Sequence, residues 1–430
     1  MNDAPSLARL DGSDIWWAAV LAWTAAGTAL LLVFPMAAPV VLPLSAAAPL
    51  ASQWLAQQHW PMTRPSPIIL ALGSIGIYLL LNASWSLSPE TAYPVVGLFF
   101  IVVVVLYFTL DALDQIDNVV LRALALGVVA GMVIGGAVLC IEVVSGQGIR
   151  RLIAAYIPML QPNPRHMGSA MGFAPYLINR SVGVFTLLFW PTVLIIDRLD
   201  LSRRQKIWLL IAIAPGVAAI FRSEHGTSKV AFIGAAALFG FYRLYPVLAR
   251  RLTLAGWTAA VLLVIPMASL VYGGKLYQAR WLPPSAQHRV VIWGYTSEQI
   301  AKAPLLGAGI GTGRALSNIP TTKAPGSDFN RSTGWHSHNA YLQVWYETGA
   351  VGALLLLGLG LLILRALARA TFEVQPHLNA TFMACALLAA SAFSIWAPWL
   401  LASFAIVCIA TAIGVALPAS AASSQAGAGA

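Results

Sequence analysis

Apolar runs recur along this chain almost from end to end, at about 15–34, 36–55, 66–84, 91–110, 119–144, 173–196, 206–221, 227–247, 252–272, 339–364, 379–397 and 399–418. A helix that crosses a bilayer needs about 20 consecutive apolar residues, so the pattern predicts an all-α polytopic membrane protein of about 12 transmembrane helices. The second run is the weakest, because Pro39, Pro43 and Pro49 interrupt it. The last two are separated only by Ala397-Pro398, which predicts a tight hairpin. Charge supports the same class. Only 9% of the residues are charged, where a soluble domain carries roughly 25%. A cleavable signal peptide is not expected, since Asp3, Asp11 and Asp14 lie at the start and no small-residue cleavage site follows the first run. Residues 1–418 read as one transmembrane domain, and the Ala-, Ser- and Gly-rich stretch 419–430 as a disordered tail.

Basic residues set the expected orientation. Arg198 to Lys206, Arg243 with Arg250 and Arg251, and Arg365 with Arg369 fall in short connections on one side. That side is taken as cytoplasmic, with both termini on it. Two long segments then lie outside, one from Ser145 to about Gly172 and one over 273–338. A connection as long as the second is uncommon unless it is functional. Within it, residues 286–302 predict a helix on the membrane or over a cavity, with Arg289 and Trp293 on one face.

Some chemistries are excluded. Cys140, Cys385 and Cys408 lie in apolar stretches at spacings that fit neither a metal site nor a disulfide framework. No soluble basic face with stacking aromatics is present, so nucleic acid is not an expected partner. The outer segments are rich in Arg and Lys and hold no closely spaced acidic pair of the kind a divalent metal uses to grip a pyrophosphate. Two readings of that basic surface stay open: contact with anionic lipid head groups, or a site for an anionic substrate held by arginine forks.

The densest motif is Trp335-His336-Ser337-His338-Asn339-Ala340-Tyr341-Leu342, running on to Tyr346-Glu347-Thr348-Gly349. Asn339 is placed to cap the tenth helix. His338 then precedes a helix N-terminus, whose dipole disfavours imidazolium and leaves the neutral form a general base needs. A capping or interfacial histidine is the alternative. His336 and His338 lack an evident third metal ligand. Glycines 307, 309, 311 and 313 permit a tight turn whose N–H groups could face an anion, or simply a flexible loop. Arg222 and Lys229 flank a short polar link, where Lys229 either serves a site or snorkels to the interface. Arg180 sits near the outer third of the sixth helix, so it marks a functional site by default or pairs with Glu142.

Together these segments resemble the O-antigen ligase/O-antigen polymerase family of bacterial inner membranes. The matching order is Ser228-Lys229 opening a helix, Arg289 with Trp293, Pro304-Leu-Leu-Gly-Ala-Gly309, His338-Asn339-x-Tyr341-Leu342 and Tyr346-Glu347-x-Gly349. The resemblance implies a metal-independent, cofactor-free glycosyltransferase of GT-C-like fold, with its site facing the periplasm. It would move glycan from undecaprenyl pyrophosphate to lipid A–core. It implies His338 as base and Arg289 on the pyrophosphate, with Asn339, Trp293, Tyr341, Glu347 and His336 in support. The family's second arginine falls on Lys229, which keeps the charge but not the fork. Arg222 in the same link is the other candidate, and Arg180 a further cation. A polymerase that extends the lipid-linked glycan, and a transporter of that glycan, are the alternatives.

Overall fold

The computed structural model describes residues 12–57, 63–156, 175–317 and 322–418. The expected tail over 419–430 and the outer segment from 157 to about 172 lie outside these residues. The described chain is helical, with a lone bridge between Lys323 and Asn330. Its helices are α1 (Gly12–Val33), α2 (Ala38–Gln57), α3 (Pro67–Ala83), α4 (Pro89–Leu113), α5 (Asn118–Val144), α6 (Gly148–Tyr156), α7 (Asn179–Arg198) and α8 (Arg203–Arg222). They continue with α9 (Gly226–Leu244), α10 (Pro246–Leu262), α11 (Val264–Gly273), α12 (Pro284–Ile300), α13 (Thr312–Leu316), α14 (Ala340–Leu367), α15 (Gln375–Ser391) and α16 (Pro398–Ala416).

Among the described residues eight helices are long and apolar enough to cross a membrane: α1, α2, α4, α5, α7, α8, α14 and α16. The pair α10 and α11 makes a ninth if it is one span bent by 66°. The protein is therefore multi-pass. Expected spans at 66–84, 227–247 and 379–397 are occupied by α3, α9 and α15, which do not meet that criterion; α3 is apolar but has only 17 residues. The bend has a local cause. Pro266 has no N–H to offer the Leu262 carbonyl, so the helix ladder is interrupted at Leu263.

Helix starts follow their caps. Asp117 accepts from the Val119 N–H at α5, and Ser202 and Gln205 form a reciprocal capping box at α8. The interior prolines of α2, Pro43 and Pro49, do not end that helix. The expected hairpin at Ala397-Pro398 is not formed as read. The last turn of α15 ends at Ser391, and residues 392–397 are irregular before Pro398 opens α16. Phe393, Ile395 and Trp396 make this stretch apolar, which hid it inside a run. Its backbone and side-chain polar groups are taken up by neighbours described below.

The chain divides into two compact units, one drawn from Met1–Met62, Phe108–Glu224 and Cys408–Ala430, the other from Thr63–Tyr107 and His225–Val407. In the first, α1 packs along α5 on a stripe of small residues. A Cβ at Gly127, Gly131 or Gly135 would come within 2.6, 2.5 or 2.6 Å of Thr24, Thr28 or Leu32. Small residues four apart let two apolar helices approach closely, which is how membrane helices gain packing energy without a hydrophobic drive. Glu142, buried at the end of α5, caps α6 by accepting from Ile149 and Arg150 N–H (2.7 and 3.1 Å). Its ion pair is with Arg150 (3.5 Å), not with Arg180. Arg150 also donates to the Val33 carbonyl and Ser181. In the second unit, α14 packs against α3, α10 and α12, and α9 lies along α15.

Candidate active site

The long segment over 273–338 is built around α12. That helix carries Arg289 and Trp293 one turn apart, as expected, and both reach the surroundings of the histidine motif. The Trp293 indole donates to the Ser337 carbonyl (2.9 Å). Asn339 caps α14, accepting from Leu342 N–H (3.1 Å). Just before the cap, His338 takes a left-handed backbone conformation, φ 52°, which is uncommon for a residue with a side chain and marks a constrained turn. The turn folds the two histidines together. Their ring centroids are 4.0 Å apart, and the His338 backbone N–H donates to His336 Nδ1 (3.1 Å).

His338 Nδ1 lies 3.1 Å from the Ala392 carbonyl. A carbonyl only accepts, so Nδ1 carries the proton, and in the neutral ring Nε2 is left with a lone pair. Burial is the main force that pushes the His338 pKa down to about 4; nearby Arg289 and His288 add to it, and the Ala392 acceptor opposes it. Neutral imidazole is thus the resident form at pH 7. The helix dipole pointed the same way, but desolvation dominates.

Arg289 is half-buried, and its Nη1 donates to Ser391 Oγ (3.2 Å). Burial lowers its pKa from the ordinary value, though a guanidinium stays charged. None of the ion pairs found among the described residues uses it. A cation withdrawn from water and anchored only on a neutral hydroxyl is costly without a counter-ion, so this position is suited to an anion. His225, at the start of α9, feels the same charge. It is buried, its Nδ1 is 2.7 Å from Ser228 Oγ, and burial first, then Arg289, pushes its pKa down to about 4. Sequence reading gave His225 no role, although it sits in the same link as Lys229. Lys229 is half-buried in the first turn of α9, and Thr227 two residues earlier donates to the Ser391 carbonyl (3.1 Å).

Eight expected residues, Arg289, Lys229, His338, His336, Trp293, Asn339, Tyr341 and Glu347, belong to one unit. Arg222 and Arg180 belong to the other, and both are exposed in it. Tyr341 is buried and donates to the Ala386 carbonyl (2.9 Å), tying α14 to α15. Among the described residues no three of His, Cys, Asp and Glu cluster in a way that could hold a metal ion.

The glycine-rich turn has neither of the roles anticipated for it. Helix α14 is broken at Gly349, φ 63° and ψ −163°, and the turn fills the break. Ala308 and Gly309 N–H donate to the Tyr346 and Glu347 carbonyls (both 2.9 Å), while Ala350 and Val351 N–H donate to Pro304 and Leu305 (2.9 and 3.2 Å). Asn82 of α3 closes the joint from one side. Its amide donates to the Leu306 and Glu347 carbonyls, and its oxygen accepts from Ile310 N–H (2.9 Å). The Tyr78 hydroxyl donates to the Thr348 carbonyl (2.7 Å). Glu347 is fully buried and accepts from Trp396 Nε1, Gln343 Nε2 (3.2 Å) and Gly313 N–H (3.3 Å). The N–H groups that could have faced a bound anion are spent on protein oxygens: backbone carbonyls, the Asn82 amide and, at Gly313, the Glu347 carboxylate. Broken backbone at membrane depth must be satisfied internally, and this joint does so.

The class defined by fold and site is a multi-pass helical membrane protein with a neutral histidine and, on the same folded unit, an arginine that has no acidic partner among the described residues. A family model described as O-Antigen ligase matches residues 208–357, so the resemblance read from the motifs holds over that segment, which contains most of α8, all of α9 to α13 and the larger part of α14. Two curated relatives are both named "Putative polysaccharide ligase". The one from Rickettsia conorii is 22% identical over 248 residues, 54% of this chain and 56% of that protein. The one from Rickettsia felis is 24% identical over 195 residues, 43% and 45% respectively. The chain thus spans about half the length of these relatives.

Proposed function

We propose that the protein is an O-antigen ligase, a glycosyltransferase that moves glycan from undecaprenyl pyrophosphate to lipid A–core. The observation that carries the reading is the pairing of a tautomer-fixed, neutral His338 with a part-buried Arg289 that has no carboxylate partner among the described residues. In the reaction, Nε2 of His338 takes the proton of the acceptor hydroxyl as that oxygen attacks the anomeric carbon. The bond from that carbon to the pyrophosphate oxygen breaks, and the electron pair leaves with undecaprenyl pyrophosphate. Arg289 stabilises the charge that develops there, joined by Lys229 of the same unit. One displacement from the opposite face makes the transfer inverting. A base contributes typically 10²–10⁴-fold, and a preorganised cation at a leaving group acts on the same barrier.

The wider assignment goes with this reading: 12 spans in a GT-C-like fold, the bacterial inner membrane, a periplasmic site and cytoplasmic termini. The basic short connections support the orientation. The scarcity of outer carboxylates supports a metal-independent reaction. The test is reconstitution of the purified protein in liposomes with undecaprenyl-pyrophosphate-linked glycan, supplied with lipid A–core or with more of the same glycan carrier. Transfer to lipid A–core, unaffected by EDTA, is expected. Elongation on the carrier alone would replace the ligase by a polymerase, and EDTA inhibition reversed by Mg²⁺ or Mn²⁺ would overturn the metal-independent mechanism.

A further inference from the structure

The end of α15 and the irregular stretch after it have no part in the reaction as written, yet the elements that carry the reaction are bonded there. Ser391 Oγ accepts from Arg289, the Ser391 carbonyl accepts from Thr227 at the start of α9, and the Ala392 carbonyl accepts from His338. The Phe393 ring lies 5.3 Å from that of His225. Further on, Ser394 Oγ accepts from Gln343 (3.0 Å), and Ile395 N–H donates back to the same Gln343 side chain (3.2 Å). The base, the arginine and the helix start bearing Lys229 are thus referenced to two consecutive residues.

We propose that Ser391 is a positioning residue for donor binding, aiming the Arg289 guanidinium through its hydroxyl while its carbonyl holds the first turn of α9. The inference rests on the reading of Arg289 as the pyrophosphate ligand. The chemistry of the anchor matters. A carboxylate at 391 would hold the guanidinium equally well but would neutralise it and compete with an incoming anion. A hydroxyl orients the fork and leaves its charge for the substrate. Ser391 therefore acts on how donor is bound, not on the proton transfer, because the tautomer of His338 is set by the neighbouring carbonyl.

The experiment measures donor KM and kcat in the liposome assay for Ser391→Ala, Ser391→Thr and Ser391→Asp. Loss of one hydrogen bond to a charged group raises donor KM by about tenfold in Ser391→Ala, with kcat within a few-fold of the parent and the acid limb of the pH profile unmoved. Ser391→Thr keeps the hydroxyl and restores KM. Ser391→Asp raises KM beyond the alanine variant. Where Ser391→Ala does not accumulate in the membrane, Ser391→Cys, close in volume and a weak acceptor, is read for the same rise in KM. An unchanged donor KM in folded alanine or cysteine protein, or an aspartate variant that binds donor as well as the parent, overturns the proposal. The underlying reading fails separately. If His338→Ala and Arg289→Ala transfer normally, the reaction assignment falls; if they do not and Ser391→Ala binds donor normally, only the positioning role falls.

Discussion

Two segments dock on the first half of α14 and look equally promising by composition: the glycine-rich turn at 304–313 and the histidine turn at 334–339. Their backbones differ in what they do. In the first, N–H and carbonyl groups are paired with the broken helix and with Asn82, and Gly307 and Gly309 are there because atoms lie where a Cβ would go. At Gly307 it would come within 2.4 Å of the Glu347 carbonyl oxygen, and at Gly349 within 2.4 Å of that of Leu305. In the second, the backbone is bent to present side chains. His338 accepts a left-handed conformation, and its ring ends with one nitrogen fixed by Ala392 and the other holding a lone pair. A joint spends its polar groups on the protein; a site keeps one in reserve.

That contrast can be broken experimentally. The largest effect is expected at His338, where His338→Ala should lower transfer by at least about a hundredfold while the protein stays folded. Wild-type levels of product would move the base elsewhere. Next comes the joint. Asn82→Leu leaves the Ile310 N–H without its acceptor and removes one of two donors from each of the Leu306 and Glu347 carbonyls, which keep Tyr78 and Gly309, and should cost about 3 kcal/mol of stability, seen as a lower unfolding temperature in detergent. If unfolding is unchanged but donor binding is lost, the glycine turn is part of the site after all.

Glu347 gives a finer test. Trp396, Gln343 and the Gly313 N–H all donate to it, so its carboxylate is placed as an acceptor at the joint. Glu347→Gln keeps the shape and one acceptor oxygen, and transfer should stay within about tenfold of the parent, below the range typical of a lost acid–base group. A drop of a thousandfold in folded protein would make Glu347 chemical, not architectural.

The smallest effect is an expected flatness. Because burial holds His338 near 4, transfer should vary little from pH 8 to about 5 and fall only as pH approaches 4. The sign for stability follows. The folded pKa lies below the unfolded value of about 6.5, so the unfolded chain binds more protons in between. The contribution is full above about 6.5 and is lost as pH falls through about 4. An activity limb near 6.5 would mean that the ring is solvated in the working state.

Much of this was legible from residue order. Apolar run length placed most helices, and the caps at Asp117, Ser202 and Asn339 are local chemistry that a sequence displays. Arg289 and Trp293 share a face because helical periodicity requires it. The break in α14 was less legible, since Tyr346 to Gly352 is apolar enough to continue a helix and only the conformation of Gly349 betrays the insertion. Asn82 carries no signal at all, because its partners lie more than 220 residues away in sequence. Residues 392–397 were hidden for the opposite reason: hydropathy reads Phe393, Ile395 and Trp396 as more helix, whereas their polar neighbours serve α12 and α14. Arg180 and Glu142 were a plausible pair by depth, but Arg150 stands a short turn beyond Glu142 and takes it.

The group that orients His338 is a main-chain carbonyl, where a carboxylate side chain could have served. A side chain can be deleted by a single codon change; the oxygen of residue 392 is present whichever amino acid is encoded there. The proton arrangement on the ring is therefore insulated from substitution at that position so long as the chain follows the same path. What exposes it to mutation is the path itself, held by Ser394, Ile395 and Trp396 against Gln343 and Glu347. A scan of single substitutions through this stretch should injure the base most from positions that never touch it.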